Sequence, residues 1–178
     1  MNSVRNEKKV DEIIQEKGNL QPTYYVGIGA SAGGLEALQD FFNHMPDDTG
    51  MVFIVVQHLS PDYKSLMHEL LARCTRMAIK VVEDGMTTEA NTIYLIPPRK
   101  NMSIFHGKLF LEDQKSKKSL NLPIDIFLRS LAADKEKLAI GIILSGTGSD
   151  GSLGIRAVKE AGGMIMVQDD QSAKFDGM

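Results

Sequence analysis

The chain has 178 residues, 43% of them hydrophobic and 24% charged, with a formal net charge of −3. This length and composition describe one globular domain with a sizeable core, and the acidic balance argues against a nucleic-acid binder, which carries a basic stripe. A single cysteine, Cys74, excludes an internal disulfide and points to a reducing, cytoplasmic setting; the longest apolar run, Met51 to Val56, falls far short of the roughly 18 residues of a membrane span.

Residues 1–22 carry as many acidic as basic side chains in their first eighteen positions and no apolar stretch, so they read as a flexible leader and not as a signal peptide. From residue 23 onward, strand-like and helix-like segments alternate. Tyr24 to Ile28 reads as a strand and Leu35 to Phe42 as a helix, broken by Pro46-Asp47-Asp48. Met51 to Val56, "MVFIVV", is a continuous apolar run, the pattern of a parallel strand buried on both faces. Ser65 to Arg73 has helical spacing, and Ile79 to Val82 and Thr92 to Ile96 are short strands, the second stopped by Pro97-Pro98. Met102 to Phe105 and Leu109 to Leu111 flank His106-Gly107-Lys108, a hairpin signal. Ser116 to Asn121 reads as an exposed loop. Pro123 to Ala133 is a helix with proline at its start, Leu138 to Leu144 a buried strand, Ser152 to Ala161 a helix stopped by Gly162-Gly163, and Met164 to Val167 the last strand. The alternation predicts a three-layer α/β/α Rossmann-like sandwich around a mostly parallel sheet, with an antiparallel hairpin. The "FDGM" ending reads as a domain cut short at its C-terminal side.

In such a sheet, ligands bind beyond the carboxyl ends of the strands. Three segments fall there: Gly29-Ala30-Ser31-Ala32-Gly33-Gly34, Gln57-His58-Leu59-Ser60-Pro61, and Ser145-Gly146-Thr147-Gly148-Ser149-Asp150-Gly151. One reading is dinucleotide binding. Gly27, Gly29 and Ala32 fit G-x-G-x-x-G/A, and Gly146, Gly148 and Gly151 fit G-x-G-x-x-G, with Asp169 or Asp170 as the acid further on. Against it, Gln57 and His58 stand where the first loop's ribose-binding acid belongs. Asp150 would also set a carboxylate against the pyrophosphate at a helix N-terminus that favours anions.

The second reading uses all three loops. Gly29-Ala30-Ser31-Ala32-Gly33 matches G-x-S-x-G, the strained strand-to-helix turn that presents a nucleophile. A serine hydroxyl needs a base, His58, and an imidazole needs a carboxylate to fix its tautomer, Asp150. Amides near Ala32 and Gly33, together with Thr147, are the candidate oxyanion donors. Taken singly, each signal is weak: an aspartate in a glycine-rich loop is more often a turn or cap residue. His44, His68, His106 and Cys74 show no metal-ligand spacing, so neither metal nor cofactor is expected.

The segments "GIGASAGGLEAL", "VVQHLSPDYKSLMHELLAR", "VEDGM", "IYLIPP" and "IILSGTGSDGSLGIRAVKEAGG", in this order, resemble the protein-glutamate methylesterase family, the CheB catalytic domain of bacterial chemotaxis. The resemblance runs from about Tyr24 to Met178. It implies a three-layer α/β/α fold and a serine hydrolase that releases methanol from γ-glutamyl methyl esters of chemoreceptors, together with deamidation of receptor glutamines. Under it Ser31 is the nucleophile, His58 the general base and acid, and Asp150 the orienting carboxylate. It implies as partners the cytoplasmic helices of methyl-accepting chemoreceptors, and the wording "GASAGGLEAL" and "LSGTGSDGSLGI" looks most like the esterase module of fusions with a receptor methyltransferase. A non-catalytic receptor-docking scaffold is the other reading. Ala32 stands where the family often has threonine, Thr147 where it often has methionine, and no receiver domain is expected in the short stretch before Tyr24.

Overall fold

A computed structural model of the chain describes residues 22–57, 66–114 and 121–177. Residues up to 21, residues 58–65 and most of the segment read as a loop at Ser116 to Asn121 lie outside the described residues. In chain order the elements are β1 (Tyr25–Ala30), α1 (Gly34–His44), β2 (Val52–Gln57), α2 (Leu66–Leu71), β3 (Ala78–Val81), β4 (Met86–Thr87), β5 (Thr92–Leu95), β6 (Lys100–Phe105), β7 (Lys108–Asp113), α3 (Pro123–Lys135), a 3-10 turn (Glu136–Leu138), β8 (Ala139–Ile143), β9 (Gly146–Thr147), α4 (Ser152–Glu160), β10 (Met164–Val167) and β11 (Asp176–Gly177).

Six of the strands form one parallel sheet in the order β10-β8-β1-β2-β5-β3. The order reverses at β1: the chain leaves it toward β2 on one side and returns through β8 on the other. In open parallel sheets such a reversal is where ligands bind, beyond the carboxyl ends of the strands, here β1 and β8. Period-two alternation sorts the strand residues into two cores. Val26, Ile28, Phe53, Val55, Ile140 and Ile142 pack with Leu38 and Phe42 of α1 and with Leu71 of α2. Val52, Ile54, Tyr94, Ala139 and Ile143 face Ile124, Phe127, Leu128 and Leu131 of α3 and Val158 of α4. The expected three-layer α/β/α sandwich is present.

The second face is lined with glycine. A Cβ built on Gly27 would lie 2.7 Å from Leu128 Cδ2 and 2.9 Å from Leu131 Cδ2; one on Gly29 would lie 2.5 Å from Ile124 Cγ2 and one on Gly141 2.7 Å from Ile155 Cδ1. Bare backbone on the two central strands lets α3 and α4 sit close to the sheet. The two helices also meet each other through glycine, since a Cβ on Gly154 would fall 2.6 Å from Leu128 Cβ and 3.2 Å from Asp125 Cα.

The hairpin lies outside the main sheet, in the antiparallel order β4-β7-β6, with Met102, Ile104 and Leu109 packed on the α3 side. Its two-residue turn, His106-Gly107, has φ of 48° and 72°, the mirror-image turn that matches strand twist. Asp134 of α3 accepts the N–H groups of both turn residues and pairs with Lys135, whose ammonium lies 4.1 Å from the centre of the Tyr25 ring. Burial works to raise the Asp134 carboxyl, but the Lys135 ammonium and the two N–H groups outweigh it and hold it below the usual range. β10, at the sheet edge, presents four exposed apolar residues. Among the described residues no helix is long and apolar enough to cross a membrane.

Gly154→Ala sets two effects against each other. An alanine in an open helix gains up to about 1 kcal/mol over glycine, but forcing a methyl between α3 and α4 costs about 1–3 kcal/mol. The clash is with a Cβ and a backbone carbon, which cannot swing away, so denaturant titration is expected to show a net loss. For Asp134, a depressed folded pKa means stability that is present above the unfolded value, about 3.9, and is lost as pH falls through the folded value below it. Thermal melts of Asp134→Asn and the parent chain should therefore differ at pH 6–7 and converge at strongly acidic pH.

Candidate functional site

β1 ends at Ala30, in register with Gln57 at the end of β2, and Gly29 is in register with Ile143 at the end of β8. Ser31 follows Ala30 immediately, so it stands at the reversal of strand order. The small residues of "GASAGG" each have a steric reason. Ala30 is fully buried, and a Cβ on Gly34 would lie 2.6 Å from the Ala30 Cβ. Gly33 carries the left-handed conformation that starts α1, with φ of 73°, and a Cβ there would lie 2.8 Å from Ser145 Oγ. The turn differs from the strained nucleophile turn expected at Ser31: Ser31 is not among the positive-φ residues, and Gly33, where glycine meets no penalty, takes the unusual dihedral instead.

The Ser31 N–H donates to the Ser145 carbonyl at 3.1 Å, and its own carbonyl accepts from Gly34 N–H at 3.0 Å. Among the described residues the Ser31 hydroxyl has no hydrogen-bond partner, and neither do the N–H groups of Ala32 and Gly33. Donors left unengaged beside a hydroxyl are what an oxyanion site requires. Thr147 is exposed in β9, which pairs with β11. His58, read as the general base, lies outside the described residues. No group of His, Cys, Asp and Glu side chains that could hold a metal ion occurs among the described residues.

Asp150 is buried beneath the third loop. Its Oδ2 accepts the N–H of Ile124 at 3.0 Å and its Oδ1 that of Asp125 at 2.9 Å, so it caps the first turn of α3. A second carboxylate returns the favour: Asp125 Oδ1 accepts the N–H groups of Gly151 at 3.0 Å and Gly154 at 2.7 Å, at the start of α4. Asp125 was not singled out in the sequence; its only signal there is an acidic residue in the first turn of a helix, which is commonplace. Ser145 was missed for a similar reason. Its buried hydroxyl accepts from Phe175 N–H at 3.0 Å and lies 2.9 Å from the Ala32 carbonyl, to which it donates, while its backbone N–H donates to Gln168 Oε1 at 2.7 Å. One side chain thus ties the Ser31 turn to the end of β8 and to the last segment of the chain.

The CheB methylesterase family profile matches residues 26–178. The chain belongs to the CheB methylesterase family. A protein named protein-glutamate methylesterase/protein-glutamine glutaminase 2, from Xanthomonas oryzae pv. oryzae, is 33% identical over 157 residues, which cover 86% of this chain and 44% of that protein. An uncharacterised 104.1 kDa protein from Rhodobacter capsulatus is 46% identical over 112 residues, 63% of this chain and 12% of its own length. The chain therefore spans less than half of these relatives. The crystal structure of the Thermotoga maritima CheB methylesterase catalytic domain superposes with a TM-score of 0.75 at 29% identity, covering 87% of this chain and 84% of that one.

Ser145→Ala removes the shared hydroxyl and leaves the Ala32 carbonyl and the Phe175 N–H short of a partner. Loss of about 1–3 kcal/mol is expected, read as a lower denaturation midpoint, with faster proteolysis at the C-terminal segment.

Proposed function

We propose that this CheB-family domain is a protein-glutamate methylesterase that hydrolyses γ-glutamyl methyl esters of chemoreceptors. Ser31 acts as nucleophile, His58 as general base and acid, and Asp150 as the carboxylate that orients the imidazole. The observation that carries the reading is the placement of Ser31 at the reversal of strand order, beside two unengaged N–H groups, in a chain whose relatives bear the methylesterase name. Ser31 attacks the ester carbonyl while His58 takes its proton. The N–H groups of Ala32 and Gly33, together with Thr147, receive the oxyanion. Methanol leaves with the proton from His58, and water then releases the glutamate from the acyl-enzyme. An amide substrate follows the same course with ammonia as leaving group, which accommodates the glutaminase half of the relative's name.

The dinucleotide reading loses its support in the packing. Gly27 and Gly29 lie within β1 and are filled against α3, not turned toward a ligand. Two N–H groups at the start of α4, the donors that a pyrophosphate would need, are held by the Asp125 carboxylate.

The test is methanol release from methylated receptor fragments. Ser31→Ala is expected to lose a factor of roughly 10⁴ or more in kcat, as for a residue acting within a catalytic unit. Full release by Ser31→Ala would overturn the reading. Receptor binding without any methanol release, unchanged by Ser31→Ala, would favour the docking scaffold.

A further inference from the structure

We propose that Asp125 is a positioning residue for the esterase site: it holds the backbone on either side of the α4 start so that Asp150 is presented at a fixed place and angle. This rests on the reading of Ser31, His58 and Asp150 as the reacting set.

Neither helix is capped by its own N-cap side chain. The N-cap residues are Leu122 for α3 and Gly151 for α4, and neither supplies a side-chain hydrogen bond. Serine, threonine, asparagine or aspartate at the N-cap is the ordinary local solution. Here each helix is capped by a carboxylate belonging to the other's first turn or preceding loop. Asp150 takes the first two N–H groups of α3, Pro123 having none to offer, and Asp125 takes Gly151 N–H and Gly154 N–H of α4. A local cap fixes one helix end. A reciprocal pair fixes two helix starts relative to each other, and with them the residue between.

That residue is Asp150. Its carboxylate is aimed by α3, and its backbone is anchored one residue on, at Gly151, by Asp125. The left-handed φ of 106° at Gly151 makes this anchor more than ornamental, because a glycine in that position has wide freedom unless its N–H is held. The arrangement costs stability: Asp125 is buried, both N–H bonds fall on Oδ1, and Oδ2 is buried without a hydrogen-bond partner among the described residues. An orphaned carboxylate oxygen is a poor choice for capping alone. It is accounted for if the separation between the two helix starts is what the residue maintains.

The experiment compares Asp125→Ala, Asp125→Asn and Asp125→Ser with the parent chain, at a temperature where denaturation curves show each to be fully folded. The readouts are kcat and KM for methanol release, and the rate at which a fluorophosphonate labels Ser31. Asp125→Ala should lower kcat by about ten- to a hundredfold, as a displacement near 1 Å does, with KM little changed and the labelling rate falling in parallel. Asparagine retains an acceptor oxygen for both N–H groups and should restore most of the loss. A purely structural role would lower the denaturation midpoint and leave kcat per folded molecule as in the parent chain, and that result overturns the proposal. So does an Asp125→Asn variant as impaired as Asp125→Ala. If Asp125→Ala does not fold, Asp125→Ser, with its shorter reach, carries the comparison: reduced kcat at constant KM supports the role, and parental kcat overturns it. Ser31→Ala run alongside separates the two claims. Loss of release in Ser31→Ala with normal turnover in the Asp125 variants removes only the positioning role, whereas release by Ser31→Ala removes the hydrolase reading itself.

Discussion

The whole arrangement depends on how close α3 comes to the middle of the sheet. Gly27 and Gly29 present no side chain to α3, and Ile124, Phe127, Leu128 and Leu131 settle against bare backbone at these two positions. Larger residues at those two positions would lift the helix away from the sheet, and its N-terminus would move with it. That N-terminus receives the Asp150 carboxylate, and Asp125, two residues past Pro123, reaches across to α4. Glycines that look like a phosphate-binding signature in the sequence thus serve a packing purpose, and the geometry of the candidate site follows from that packing.

At the carboxyl edge of β1, small residues serve a second constraint. The chain must turn from a fully buried strand into α1 within three residues while leaving a hydroxyl accessible. Ala30 and Gly34 stack in the tight inner side of the turn, Gly33 takes the left-handed dihedral, and Ser31 is not among the positive-φ residues. The N–H groups of Ala32 and Gly33 are left facing no acceptor because the helix ladder begins after them. Placing the left-handed dihedral on glycine spares the nucleophile candidate a positive φ.

Much of this is legible from residues alone, for identifiable reasons. Parallel strands buried on both faces write themselves as runs such as "MVFIVV", and Met164 to Val167 matches β10 end to end because Gly162-Gly163 precede it and the polar Gln168-Asp169-Asp170 follow it. Helix limits were less exact: α1 runs on to His44 and α3 to Lys135, since polar residues in a last turn break the apolar pattern without breaking the hydrogen bonds. The paired strands β9 and β11 left no trace in the sequence, two residues being too few for any period. Of the proposed reacting set, Ser31 and Asp150 stand out in the sequence by their glycine-rich surroundings. What could not be found was that Asp150 caps a helix, or that Asp125 caps another in exchange, because both contacts span some 25 residues and depend on two helices lying side by side.

The Ser145 hydroxyl connects to Ala32 across 113 residues of chain. Contacts between such remote segments form only after the intervening polypeptide has been brought into order, since closing so large a loop has to be compensated by everything packed within it. The turn bearing Ser31 is synthesised more than a hundred residues ahead of its clasp, Ser145, which lies between β8 and β9. A nascent chain halted between the Ser31 turn and β8 carries the serine without the rim that braces it, so that bracing arrives only once β8 and Ser145 have been added.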